Sequence, residues 1–308
     1  MEVEQVESCP LCGGGRLKLW RPAPDHNYPS DDWGFEYSCC RDCGARFLSR
    51  RPTAATAVEL YDDTYEPYDV GVERRARPVE LTTGRVGRLP ARWIEVVRSA
   101  YRLPRPESRL LDLGCGSATF LQAASEAGWT AIGSDFSPAV VMRVKSAGFE
   151  AHLIDEVWSA LRDEPVDLAR MNHVLEHVYD PVDLLRRVAS VLAPGGRIHI
   201  AVPNPSGVTS LAFGRHWSGL EPRHVIHFSP TLLGSVLDRA GLVLESVSHQ
   251  PAVRDVKRSV VYALRSHGTP SSVVARFEGR WADRIYAGAA AIGAQLGRGD
   301  RLHAIARR

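Results

Sequence analysis

No uncharged apolar run in these 308 residues is long enough to cross a bilayer. The longest, residues 285–296, falls well short of the ~20 residues such a helix needs. No charge of one sign dominates either: 38 Lys and Arg stand against 36 Asp and Glu, a net +2. The sequence therefore carries no strongly basic footprint for nucleic acid. Internal repeats and low-complexity tracts are missing. Residues 1–8 are acidic and polar, which is not the pattern of a signal peptide. These absences leave an ordinary globular composition and predict a cytoplasmic protein with reduced thiols. The length allows one large domain plus a small one.

Cysteine is scarce and unevenly placed. Five of six lie in the first 43 residues: Cys9, Cys12, Cys39, Cys40 and Cys43. Cys9-Pro10-Leu11-Cys12-Gly13 and Cys40-Arg41-Asp42-Cys43-Gly44 are two CxxCG knuckles. Two such knuckles bring four thiolates to one ion, so Cys9, Cys12, Cys40 and Cys43 read as a closed tetrahedral zinc site. With no open coordination position the zinc has a structural role, and Cys39 is a bystander. Residues 17–20 and 33–37 are the expected short strands of this ribbon.

The sixth cysteine sits in Leu110-Leu111-Asp112-Leu113-Gly114-Cys115-Gly116, an apolar run, an acid and a glycine turn, followed by a helical stretch that Gly128 closes. That is the opening strand–turn–helix of a doubly wound α/β domain. A third glycine, usual in a dinucleotide turn, is absent where Thr119 stands. Asp112 can accept from a cationic group, and Asp135, ending the next apolar run, can accept both hydroxyls of a ribose. Ser137-Pro138 starts a helix. Strand three ends at Asp155, placed to reach an adenine amino group. Asn172-His173-Val174-Leu175-Glu176-His177 follows strand four, and Ala193-Pro194-Gly195-Gly196 precedes strand five. Residues 203–228 insert at the carboxyl ends of the strands, where open α/β sheets bind ligands. A second insertion, residues 250–299, carries Phe277, Trp281, Ile285, Ala289, Ile292 and Leu296 at helical spacing.

Between ribbon and sheet, residues 53–61 suggest a short helix, residues 61–68 an aromatic and acidic loop, and residues 89–101 a helix. Pro104 and Pro106 mark a joint. The expected organisation is 1–51 ribbon, 52–106 lid or linker, and 107–308 catalytic domain with the helical insertion 250–299.

The glycine turn, Asp135, the 172–177 segment and the 193–196 turn match, in order, class I S-adenosylmethionine-dependent methyltransferases, which the chain resembles over roughly residues 52–308. Pro222-Arg223-His224-Val225-Ile226-His227-Phe228-Ser229 resembles a segment of the subgroup that also carries an N-terminal zinc ribbon. The resemblance implies a Rossmann-like, seven-stranded, mostly parallel sheet and S-adenosyl-L-methionine as cofactor. Asp112, Gly114, Cys115, Gly116, Asp135, Phe136, Asp155 and Asn172 would hold it. It also implies a small-molecule acceptor: a sugar, a natural product or a surface-polysaccharide precursor.

Methyl transfer to a hydroxyl or carbon acid needs a base, and histidine suits neutral pH. His224, with Arg223 before it and Glu221 three residues earlier, is the first candidate. A carboxylate can orient one nitrogen and leave the other free. His173 is second, directly after strand four. His177 reads better as a loop-holding histidine. A set of His173, Glu176 and His177 around a divalent metal is a weaker alternative. Rival functions are an RNA-modifying enzyme that grips substrate with the ribbon, a non-catalytic cofactor-binding module, and an NAD-dependent oxidoreductase. The Asn-Pro-Pro-aromatic motif of base methylation is absent, and no cysteine pair suits attack on a pyrimidine. No membrane span is expected, and the 277–296 stripe should pack on the body or on a second copy, as a homodimer.

Overall fold

The computed structural model describes residues 1–24, 34–61 and 107–308. The 62–68 loop, the 89–101 helix, the Pro104–Pro106 joint and the start of the second ribbon strand at Trp33 lie outside these residues.

The large domain is one seven-stranded sheet in the order β11-β12-β9-β8-β5-β6-β7. β5 (Arg109–Leu113), β6 (Thr130–Asp135), β7 (Glu150–Leu153), β8 (Val166–Asn172) and β9 (Leu192–Pro203) run parallel. β12 (Arg301–Arg307) runs antiparallel to both β9 and β11 (Val243–Gln250). Near-continuous apolar runs such as Leu110, Leu111 and Leu113 are fully buried, as expected for parallel strands covered on both faces. The covering helices include α1 (Thr119–Glu126), α2 (Pro138–Ser146), the short α3 (Val157–Ala160) and α4 (Pro181–Val191). Ser137 and Asp180 cap α2 and α4 with their side chains, each with proline in the first turn. β9 begins at Leu192, five residues before the expected start, because Leu192 already pairs with Val166 across a register shift.

The ribbon forms a second sheet, β1 (Val3–Gln5), β4 (Arg46–Pro52), β3 (Glu36–Cys40) and β2 (Leu17–Pro22). Its remaining strand comes from the insertion after β9. β10 (Ile226–His227) pairs antiparallel with β4, Ile226 opposite Phe47 and His227 opposite Arg46. Ribbon and first insertion are thus one hydrogen-bonded unit. Tyr37, Leu48, Phe35 and Ala23 of the ribbon share a buried cluster with Trp217 and Leu220 of the insertion.

That insertion starts with α5 (Val208–Phe213). The Thr209 amide of α5 donates to Asp300 Oδ1 at 2.9 Å, so the Gly297-Arg298-Gly299-Asp300 turn caps it. α6 (Pro230–Arg239) leads to β11. The second insertion is three helices, α7 (Val253–Ser266), α8 (Ser271–Glu278) and α9 (Arg280–Gln295). Of the two expected partners for the stripe, the body is the one the structure corrects. The 277–296 stripe does not pack on the body: Trp281, Ile285, Ile292 and Leu296 are 54–70% exposed. The inward face of α9 is Ala282, Tyr286, Ala290 and Gly293. A Cβ on Gly293 would lie 3.0 Å from Val208 Cγ2, so small residues let the helix axis approach closely, and the large apolar residues face outward.

Candidate functional site

The loops after β5, β6 and β8 and the insertion after β9 enclose a cavity of about 940 Å³. Its cofactor end is the glycine turn. Gly114 has φ 69°, and a Cβ there would lie 2.6 Å from Val174 Cγ2, so a side chain is excluded twice over. Asp135 is almost fully buried and accepts from the Gly116 amide at 3.2 Å and the Ser137 amide at 3.0 Å. A carboxylate has about four lone-pair sites, so these bonds leave room for a further donor. Burial pushes the Asp135 carboxyl up, and the backbone donors oppose that. Phe136, half exposed, meets the Tyr61 ring edge-on at 5.3 Å.

Asp112, Gly114, Cys115, Gly116, Asp135, Phe136 and Asn172 all line this cavity. Asp155 does not. The Ile154 amide donates to the Asp135 carbonyl at 3.0 Å, which turns Ile154 into the lining and leaves Asp155 exposed. Asp112 also differs from its expected role, because the cation it meets belongs to its own chain. Arg170 Nη1 donates to Asp112 Oδ1 at 2.7 Å, and its guanidinium stacks 3.8 Å from the Phe120 ring centroid. The signal for Arg170 was present: a charge in mid-strand of an otherwise buried parallel sheet.

The other end of the cavity is a histidine–carboxylate network. His173 follows β8 with φ 57°, rare for a residue with a side chain, and its Nδ1 bonds Glu176 Oε1 at 3.0 Å. Burial alone would raise the Glu176 carboxyl. The His173 bond and the fields of His173, His177 and His224 bring it below the usual range. His224 Nδ1 donates to the Gly219 carbonyl at 2.9 Å, while Nε2 lies 2.8 Å from Glu221 Oε1. Burial would lower this imidazole, but Glu221 outweighs it and holds the pKa at about 9. His224 is therefore an imidazolium with both N–H groups engaged. The expectation of one free nitrogen is corrected: at neutral pH His224 has no lone pair to offer.

His177 has the opposite character. Burial, then the neighbouring His224 charge, lowers its pKa to about 4. Its Nδ1 lies 3.0 Å from the Arg223 carbonyl and 2.9 Å from the Tyr61 hydroxyl. A carbonyl only accepts, which assigns the proton to Nδ1 and the lone pair to Nε2. His177 and His224 both line the cavity, with ring centroids 4.9 Å apart. His227 is buried outside it against Trp20, Tyr37 and Trp217, and neither ring nitrogen has a hydrogen-bond partner among the described residues. Sequence reasoning also missed the wall that α7 and β12 supply, Arg254, Asp255, Arg258 and Arg301, where Arg301 forks onto Asp255 at 3.0 Å twice.

Among the described residues, two side-chain groups have the composition of a metal site. Glu176, His177 and His224 bring ligand atoms within 4.8 Å of one another, but both His224 nitrogens already have partners. The His173–Glu176 bond likewise occupies two members of the ligand set considered from sequence. Cys9, Cys12, Cys40 and Cys43 fit far better. Cys9 and Cys43 sulfurs are 3.6 Å apart, as are those of Cys12 and Cys40. That is too long for a disulfide and close to the ~3.8 Å edge of a tetrahedron with sulfur ~2.3 Å from its centre. Equivalent turns close the two knuckles: the Gly13 amide donates to the Cys9 carbonyl, and the Gly44 amide to that of Cys40.

A family described as methyltransferase domain matches residues 86–247, more than half of the chain. The chain is 28% identical over 176 residues to a protein of Xanthomonas euvesicatoria pv. vesicatoria named ubiquinone biosynthesis O-methyltransferase, covering 52% of this chain and 74% of that one. A protein of the same name from Xylella fastidiosa is 27% identical over 176 residues, covering 52% and 72%. Among solved structures, a SAM-dependent methyltransferase from Archaeoglobus fulgidus aligns at 21% identity with a TM-score of 0.47, over 70% of this chain and 92% of that one. The family match, with the glycine turn and Asp135 brought to one cavity of a seven-stranded sheet, places this chain in the methyltransferase-domain family as a class I S-adenosylmethionine-dependent enzyme.

Proposed function

We propose that this enzyme methylates a hydroxyl oxygen of a small metabolite, with His177 as general base and one structural zinc in the ribbon. S-adenosylmethionine supplies a methyl group already activated on a sulfonium, so the protein has to position and desolvate the partners. Asp135 would hold the ribose and the glycine turn the methionine portion, with Phe136 and Asn172 beside them. Across the cavity His177 takes the acceptor proton on Nε2. Glu176 and Glu221 stabilise the imidazolium that forms, and the Arg223 carbonyl keeps Nδ1 as the donor. The observation carrying this reading is that His177 lines the cavity with Nδ1 committed to the Arg223 carbonyl and the lone pair on Nε2, whereas both His224 nitrogens are engaged, by the Gly219 carbonyl and Glu221.

The printed names of the relatives support oxygen as the methylated atom. Within that class, a sugar, natural-product or polysaccharide precursor remains our acceptor reading. A ribbon gripping RNA is the less favoured one, because Trp20 and Tyr37 are engaged with Trp217 and His227 of the insertion.

Transfer of labelled methyl to a panel of hydroxyl-bearing metabolites tests the proposal. His177→Gln should lower kcat roughly 10²–10⁴-fold, the usual share of acid–base catalysis, with unchanged adenosylhomocysteine affinity. Wild-type turnover in that variant, or methylation confined to amine acceptors, would remove His177 from the mechanism.

A further inference from the structure

The 253–298 insertion sets itself apart in charge as well as in shape. It carries eight Lys and Arg against three Asp and Glu, a net +5, so the rest of the chain is net −3. Its acids are already engaged. Asp283 pairs with Lys257 at 2.9 Å, Glu278 with Arg265 at 2.8 Å, and Asp255 with Arg301 at 3.0 Å. No ion pair among the described residues involves Arg276, Arg280, Arg284 or Arg298, and all four are exposed.

Beside these cations runs the outward stripe. Trp281, Ile285, Ile292 and Leu296 fall at i, i+4, i+11 and i+15, one face of a helix, and are 54%, 61%, 59% and 70% exposed. The Phe277 ring of α8 extends the stripe, 6.0 Å from the Trp281 ring. Arg284 lies one turn from Trp281 on the adjoining face. The inward face is closed by Ala282, Tyr286, Ala290 and Gly293, so the stripe is not a core face awaiting a repacked body.

An amphipathic helix with tryptophan and large aliphatics on one side and arginines beside them suits the boundary between headgroups and acyl chains of an anionic bilayer. At 16 residues α9 is too short to span one. We propose that α8 and α9 form a peripheral docking surface for an anionic lipid bilayer, entered by Phe277, Trp281, Ile285, Ile292 and Leu296. Face-to-face pairing of this stripe with that of a second copy would bring two basic faces together, whereas an anionic bilayer neutralises them. Because α7 of the same unit supplies Arg254 and Arg258 to the catalytic cavity, docking would bring that cavity close to the membrane surface.

The test is co-sedimentation of the full chain with vesicles of phosphatidylcholine alone or mixed with phosphatidylglycerol. Expected is binding to the mixed vesicles, weakened by salt. Arg280→Gln with Arg284→Gln should lower partitioning roughly 30-fold, about fivefold per arginine. Trp281→Ser with Ile285→Ser should abolish it while adenosylhomocysteine affinity stays at the wild-type value, which shows the variant folded. Wild-type protein left in the supernatant with mixed vesicles overturns the proposal. So does equal binding by the serine variant, or a dimer in size-exclusion chromatography that the serine substitutions dissociate.

Discussion

At the scale of single residues, two histidines 4.9 Å apart are tuned in opposite directions, and both shifts have consequences for stability. His224 binds its proton more tightly folded than unfolded, since about 9 exceeds the ordinary 6.5. Its stabilising contribution is therefore complete below pH 6.5 and is lost as pH rises through 9. His177, lowered to about 4, does the reverse: its contribution is present above pH 6.5 and is lost as pH falls toward 4. Thermal unfolding across pH should show both limbs. His224→Gln should flatten the alkaline limb, and His177→Gln the acid one. Arg170 gives a second residue-scale prediction. Arg170→Met leaves the buried Asp112 carboxylate without its cation, at a cost of about 3–5 kcal/mol in urea unfolding. Asp112→Asn in the same chain should recover part of the loss. If the single variant is as stable as wild type, the ion pair contributes nothing.

At the scale of elements, a strand pairing and a tyrosine hydroxyl tie the ribbon to the histidine–carboxylate end of the cavity. β10 extends the ribbon sheet, and the Leu48 amide donates to the Val225 carbonyl at 2.8 Å. The Tyr37 hydroxyl lies 2.7 Å from the Glu221 carbonyl and 2.8 Å from that of His224. Tyr37→Phe removes that tie at a cost of about 1 kcal/mol, the usual size for a neutral hydrogen bond. Adenosylhomocysteine should bind as before, because the glycine turn is untouched, while acceptor KM rises and the pH profile of kcat shifts as the Glu221–His224 pair loosens. An unchanged profile and KM would reduce Tyr37 to packing alone. Glu221 and His224 line the cavity, but the strand that puts them there was not legible in the sequence. Ile226-His227 is too short to read as a strand, and its partner is about 180 residues away.

At the scale of the whole molecule, the ribbon and the sheet are coupled through this insertion rather than being two independent bodies. If zinc occupies Cys9, Cys12, Cys40 and Cys43, removing it should unfold the ribbon, because thiolate coordination and folding are linked. The loss then propagates to β10 and the Glu221–His224 loop. Chelation, or Cys40→Ser, should abolish methyl transfer while adenosylhomocysteine titration still reports a bound ligand at the glycine turn. Metal analysis with no zinc in a folded, active preparation would overturn the assignment. Among the described residues no helix is long and apolar enough to cross a membrane, in keeping with the sequence reading of the 285–296 run.

The sequence by itself determined the features whose chemistry is local. Two knuckles of four residues carry their own thiolate spacing and turn glycines. A strand, a glycine turn and a capped helix are set by neighbours along the chain, so the sheet and the cofactor end of the cavity could be read in order. Tertiary structure decided the rest, since it depends on partners far apart in sequence. His177 is neutral because it is buried beside a charged His224, 47 residues on, and the Arg223 carbonyl fixes its proton on Nδ1. Asp112 is occupied because β5 pairs with β8 and brings in Arg170. The α9 stripe faces solvent because Gly293 lets the opposite face approach Val208. Helical spacing shows that a stripe exists, but which face lies against the body depends on the shape of the surface it meets.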